Sequence, residues 1–246
     1  MGFLAREWQA LLSALSFFSR FPVVPKTFDL TRGVLYLPLV GVLLGGVSVL
    51  FLKAGEALPP SLAAFGVLGI IYFLADYFHF DGLLDMVDAL AAGGDREYRL
   101  KVLKSPEVGA LGVLFAFFFL LGEFLVAQEL LVHGRKDVFF FRPLCGRQAL
   151  GLLALLGRPA KEGGLGRLFL DVSRKRLWII QFFWLPLFIY APLPTLGTIL
   201  LVFFLRRKFE KNFGGLTGDL LGATLMLAQW LFMALAFLVG AKFSSW

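Results

Sequence analysis

The run Leu177-Trp-Ile-Ile-Gln-Phe-Phe-Trp-Leu-Pro186-Leu-Phe-Ile-Tyr-Ala191-Pro-Leu-Pro-Thr195-Leu-Gly-Thr-Ile-Leu-Leu-Val-Phe-Phe-Leu205 decides how this chain is threaded. It exceeds the ~20 apolar residues that one bilayer crossing needs. It also carries Pro186, Pro192 and Pro194. It is either one tilted helix or two short legs that turn at Ala191–Thr195. The basic residues choose between these, because cytoplasmic loops of membrane proteins are enriched in Lys and Arg. With two legs the chain makes seven crossings and its N-terminus is cytoplasmic. Segments 1–33, 79–108, 158–176 and 206–218 then share the cytoplasmic side and hold 4, 4, 6 and 4 of the 24 Lys and Arg. Lys53, Arg135, Lys136 and Lys242 lie opposite, and Arg142 and Arg147 fall inside a span. A single leg would move Arg206, Arg207, Lys208 and Lys211 to the outside. Two legs are therefore expected, each short or folded as a re-entrant hairpin.

The rest of the chain agrees with a membrane protein. Apolar residues make up 59% of the 246 and charged residues 17%, and the mean hydropathy is +0.80. Soluble domains are about half apolar and a quarter charged. Further spans are expected at Val34–Leu52, Ser61–Phe78, Gly109–Val132, Val138–Leu156 and Asp219–Gly240. In the first of these, Gly41 and Gly45 at i and i+4 mark a close-packing face. The expected fold is an all-α, polytopic helix bundle of one domain over residues 1–246. Residues 1–33 form an amphipathic N-terminal segment lying on the membrane or on the protein. The net charge of +7 is spread between apolar runs and forms no stripe, which argues against nucleic acid. One Cys, Cys145, excludes an intramolecular disulfide. Ser13, Ser16 and Ser19 have no base beside them, so a serine hydrolase is poorly supported. The sequence sets no oligomeric state.

Between Lys53 and Arg96 the chain has no basic residue, yet it holds Asp76-Tyr-Phe-His79-Phe-Asp81-Gly82-Leu-Leu-Asp85-Met-Val-Asp88. On a helix, Asp81, Asp85 and Asp88 fall within about 60° of one another. Like charges on one stripe repel. At full membrane depth, desolvation adds ~2.5–3.5 kcal/mol for each. A divalent cation relieves both, and oxygen ligands without thiols suit Mg²⁺, with Mn²⁺ as the alternative. The plainer reading is a solvated helix face. His79 is a general base or a hydrogen-bonded structural residue, and Asp76 a further ligand, a supporting partner or a helix-end residue.

Other polar groups are expected on the same side. Phe213-Gly214-Gly215-Leu216-Thr217-Gly218-Asp219 precedes the last span. Its Gly-rich backbone suits phosphate and Asp219 suits metal coordination, or the segment is a turn with an Asp cap. Arg99, Lys101 and Lys104 can meet phosphate oxygens or anionic lipid, and Arg20 lies on the same side. Arg147, inside an apolar run, is expected to be paired or functional, with Glu123 as a structural partner.

Taken together, these residues resemble the cobalamin synthase (adenosylcobinamide-GDP ribazoletransferase) family. His79-Phe-Asp81-Gly82-Leu-Leu-Asp85-Met-Val-Asp88 is similar to its His-x-Asp-Gly-x-x-Asp-x-x-Asp signature. Arg20-Phe-Pro22, Pro38-x-x-Gly41-x-x-x-Gly45, Lys104-Ser-Pro-Glu-Val-Gly109, Gly146-Arg147 and Gly215-Leu-Thr217-Gly218-Asp219-Leu-Leu-Gly222-Ala223 resemble further family elements in the same order. Ser105, Glu107 and Ala89 stand where the family usually or often has Asp, a basic residue and Gly. The resemblance implies a Mg²⁺-dependent transferase in the cytoplasmic (inner) membrane of a prokaryote, facing the cytoplasm. Its substrates would be adenosylcobinamide-GDP and α-ribazole or its 5′-phosphate, with GMP released. The catalytic residues implied are Asp81, Asp85, Asp88 and His79, with Asp81, Asp85, Asp88 and Asp219 on metal. Lys104, Arg147, Arg20, Gly215, Thr217 and Gly218 would hold substrate. The alternatives are a CDP-alcohol phosphatidyltransferase-like phospholipid enzyme and a cation transporter. The first carries Ala-Arg where Leu83-Leu84 stands, and the second needs carboxylates near the bilayer middle.

Overall fold

The computed structural model describes residues 2–160, 172 and 174–243. Much of the basic segment 158–176, with Lys161 and Arg167, lies outside the described residues. Within them the secondary structure is helical, apart from one isolated bridge between Pro159 and Leu216. The helices are α1 (Phe3–Phe18), α2 (Leu30–Gly33), α3 (Leu37–Ala54), α4 (Pro60–Ile71), α5 (Tyr77–Ala91), α6 (Arg96–Val102), α7 (Ala110–Val132), α8 (Val138–Leu156), α9 (Arg174–Ile180), α10 (Trp184–Tyr190), α11 (Pro192–Phe213) and α12 (Gly218–Phe243).

Five helical stretches are long and apolar enough to cross a membrane: Leu30–Ala54, Pro60–Ala91, Ala110–Val132, Val138–Leu156 and Gly218–Gly240. They coincide with five expected spans, with one extension. The second span does not stop at Phe78. A π-helical turn at Tyr72–Asp76 joins α4 to α5 without a break, so the acidic motif rides on the same continuous helix. Such π turns recur at functional sites.

α8 is the axis of the bundle. In its most apolar window 83% is buried, against 22% for α7, which lies at the periphery. α3 packs directly on α8 through Gly41 and Gly45. A Cβ at Gly45 would sit 2.1 Å from the carbonyl oxygen of Phe140, and one at Gly41 would sit 2.7 Å from the Cα of Leu144. These two glycines thus let the backbones meet, as a stripe of small residues allows inside a membrane.

The run Leu177–Leu205 is broken. α9 passes through a 3₁₀ turn at Gln181–Phe183 into α10, the chain turns at Ala191, and α11 returns. Thr195 Oγ1 donates to the carbonyls of Leu187 and Ala191 and so pins the turn. Side-chain bonds sort the loops into two ends. At one end Arg96 donates to the Ala160 carbonyl, Arg99 to Asn212 and Arg176 to the Thr31 carbonyl, so the four basic segments gather there. At the other, Lys136 pairs with Glu56 and Arg135 reaches Tyr190 beside the Ala191 turn.

α1 folds back on the bundle. Gln9 Oε1 accepts from the amides of Lys26 and Thr27, and Glu7 pairs with Arg32 and with the Tyr36 hydroxyl. The other face leaves Phe3, Leu4 and Trp8 largely exposed. The helix therefore has both a protein face and an apolar outer face, which suits a membrane surface.

Candidate active site

The site forms where α12 crosses α5. Gly82 makes the crossing possible: a Cβ there would lie 2.7 Å from the carbonyl oxygen of Asp219. Gly222 repeats the fit one turn on, at 3.1 Å from the Cα of His79. These two glycines bring Asp219 beside the acidic face of α5. Asp81 and Asp219 line one cavity of about 440 Å³ with His79, Ser16, Phe17, Phe18, Phe78 and Gly218. The charged neighbours of Asp85 are Asp81, Asp219 and Asp88, and all three are acidic. Lys104 is the basic group whose charge reaches Asp219. The ion pairs among the described residues include none to Asp81, Asp85, Asp88 or Asp219.

Asp88 has a separate task. Its carboxylate accepts the backbone N–H of Gly109 at 2.7 Å and of Gly112 at 2.8 Å, the open N-terminus of α7. It caps that helix from outside, satisfying amides that otherwise have no partner. Gly109 and Gly112 leave room for it, since a Cβ on either would fall within 2.6 Å of a carboxylate oxygen. The sequence signal for this was the Gly-x-x-Gly opening a long apolar helix.

The segment before α12 is organised by backbone bonds. Gly214 ends α11 in the left-handed region at φ +72. Gly215 lies against Arg158–Ala160, where a Cβ would meet backbone at 2.6 Å, and the Leu216 amide donates to the Arg158 carbonyl. Thr217, not Asp219, caps α12: its hydroxyl oxygen accepts from the Leu220 amide. The same hydroxyl donates to Asp219 at 3.3 Å, and Asp219 faces the cavity.

His79 Nδ1 lies 3.0 Å from the carbonyl oxygen of Ala75. A carbonyl only accepts, so Nδ1 carries the proton and Nε2 keeps a lone pair. Arg20 sits apart from the cavity lining, over the rings of Tyr77 and Phe73, with its amide on the Leu74 carbonyl.

A second polar cluster lies inside the bundle. Arg147 is fully buried, and it pairs with Asp76 at 3.2 Å, not with Glu123. Glu123 instead holds Arg142 at 2.6 Å and accepts from the Tyr72 hydroxyl. Gln229 donates to Asp76 at 3.1 Å. Asp76 lies about 140° around the helix from Asp81 and about 180° from Asp85 at 100° per residue, which explains why it joins α8 and not the cavity.

Among the described residues no three His, Cys, Asp or Glu side chains already converge as a metal-ligand set. The donor chemistry nevertheless fits a hard cation. Asp81, Asp85 and Asp219 offer carboxylate oxygens that make no ion pair among the described residues, and Cys145 is buried elsewhere on Thr198. Mg²⁺ commonly binds through one or two carboxylates and completes its shell with water and substrate phosphate.

Comparison with known proteins places this arrangement in a family. The family described as cobalamin-5-phosphate synthase matches residues 10–238. The chain is similar to the adenosylcobinamide-GDP ribazoletransferase of Pseudomonas paraeruginosa, 35% identical over 90% of this chain and 94% of that one. It is 33% identical to the protein of that name from Thermosipho africanus, over 90% of this chain and 95% of that one. The Escherichia coli protein of the same name is 30% identical, over 89% and 95%. No solved structure matches. With the family match spanning residues 10–238, this chain belongs to the cobalamin-5-phosphate synthase family.

Proposed function

We propose that the protein joins adenosylcobinamide-GDP to α-ribazole or its 5′-phosphate and releases GMP. The observation that carries the mechanism is the set of unpaired carboxylates Asp81, Asp85 and Asp219 at the α5–α12 crossing, with Lys104 at its edge. A ribazole hydroxyl attacks the cobinamide-side phosphorus. The new O–P bond forms, the anhydride P–O bond breaks, and GMP leaves with the electron pair. The hydroxyl proton passes to a nearby base, for which His79 Nε2 on the cavity wall is suited. Asp81, Asp85 and Asp219 would hold Mg²⁺, which when bound neutralises charge on the diphosphate. Lys104 adds a positive charge for the phosphoryl oxygens. Asp88 keeps α5 and α7 in register through its cap, and Arg147 supports α5 through Asp76.

The membrane reading follows the same geometry. We place the basic end of the bundle in the cytoplasm of a prokaryotic cell, with α9–α10 and α11 as two further, short crossings and the cavity opening on that side. The test is incubation of purified protein with adenosylcobinamide-GDP, α-ribazole and Mg²⁺, with and without a chelator. Corrinoid product and GMP in equal amounts, abolished by chelation, are expected. Absence of both under Mg²⁺ would reject the reaction, and chelator-insensitive product would reject the metal.

A further inference from the structure

We infer that the cavity between α1, α5 and α12 is the seat of the ribazole base, held by aromatic walls that α1 completes. The inference rests on the transfer reaction proposed above and names the place of one substrate in it. One wall is Phe17 and Phe18 from the C-terminal turn of α1, and another is Phe78 and His79 from α5, with Leu150 and Leu221 closing the floor. The Phe18 and His79 rings, both on the cavity lining, are parallel to within 4° with centroids 6.5 Å apart. Planar heterocycles stack on such walls whatever their hydrogen-bonding edge.

Size and polarity select the substrate. About 440 Å³ suits a nucleoside-sized ligand, within the ~300–1,000 Å³ range of small-molecule pockets, and is too small for a corrinoid joined to a nucleotide. A guanine edge needs several matched donors and acceptors. Here the Ser16 hydroxyl is turned to the Ser13 carbonyl at 3.2 Å, and the other side-chain polar groups are the Asp81 and Asp219 carboxylates and His79. A benzimidazole base carries apolar carbons around most of its rim and fits phenylalanine walls. Seated there, its ribose extends toward Asp81 and Asp219, which places a hydroxyl beside the proposed phosphoryl site. α1 therefore contributes substrate specificity, although it carries none of the acidic motif.

The experiment uses the full-length protein in detergent with the variants Phe18→Leu and Phe78→Ala. Phe18 is buried, whereas Phe78 is 63% exposed and its truncation leaves the bundle intact. Affinity for α-ribazole is read by calorimetry, and KM for each substrate by steady-state assay. The expected result is a loss of about tenfold in α-ribazole affinity and a matching rise in its KM. KM for adenosylcobinamide-GDP stays within about twofold. Unchanged α-ribazole affinity in both variants overturns the inference, as does a rise confined to KM for adenosylcobinamide-GDP or an effect that added lipid alone reproduces. Wild-type protein that transfers nothing to ribazole defeats the reaction itself. Wild-type transfer with indifferent variants defeats only the pocket.

Discussion

One helical stretch, Pro60–Ala91, carries two kinds of aspartate. Asp76 is fully buried, and Arg147, Arg142 and Gln229 all reach its carboxylate. Asp85, farther along, is half-buried and its charged neighbours are acids. The first arrangement balances itself: Asp76 and Glu123 stand against Arg142 and Arg147. The second is left with excess negative charge where α5 meets α12. A buried charge in a membrane protein is tolerated when it is paired. Glycine contacts hold this acidic cluster together, and on the function proposed here a cation and a phosphate ligand would relieve its repulsion. Paired acids here build the frame, and unpaired acids are left at the α5–α12 crossing.

The contrast predicts opposite outcomes from the same chemical change. Asp85→Asn removes repulsion and a proposed metal oxygen, so transfer should fall by about a hundredfold or more while the thermal midpoint in detergent holds or rises. Asp76→Asn leaves Arg147 without its anion and should destabilise by about 3–5 kcal/mol, read as a large fall in thermal midpoint. If both variants behaved alike, the division of labour between the two clusters would be wrong.

A sharper probe lies within the frame. Glu123→Leu and Arg142→Met should each destabilise strongly, because each strands the partner charge. The double variant should recover much of the loss, since replacing a whole buried pair is often near neutral. Strict additivity in a double-mutant cycle would show that the two side chains are not coupled.

Smaller effects are expected at the helix ends. Asp88→Ala removes the external cap of α7 and Thr217→Ala the cap of α12, each lowering stability by about 1 kcal/mol in thermal unfolding. Asp88→Asn should keep part of the cap through its remaining carbonyl oxygen and lose less than Asp88→Ala. Equal losses would mean that the charge of Asp88, not its acceptor geometry, is what α7 uses.

Much of the fold was legible because hydropathy records lipid contact directly. The five long runs became helices, and the prolines around Ala191 marked a real turn. The Gly41 and Gly45 stripe became the α3–α8 contact. What sequence could not assign were partners across helices. Arg147 and Arg142 sit five residues apart on α8, and only the packing around that helix gives Asp76 to the first and both Glu123 and Asp76 to the second. The spacing of Asp81, Asp85 and Asp88 puts three acids on one helix stripe. The long apolar helix beginning at Ala110 draws Asp88 to its N-terminus, a competing use of the same carboxylate. Asp219 was legible as an acid near a glycine-rich turn. Its place beside Asp81 depends on Gly82 and Gly222 fitting α12 against α5, a tertiary fact.

We propose that Asp81, Asp85 and Asp219 form a cation site between α5 and α12. Titration of the purified protein with Mn²⁺, followed by electron paramagnetic resonance in wild type and in Asp85→Asn, tests it most directly. Saturable binding in the wild type, competed by Mg²⁺ and lost in the variant, is the predicted result. Equal binding in both, or none in the wild type, would contradict it.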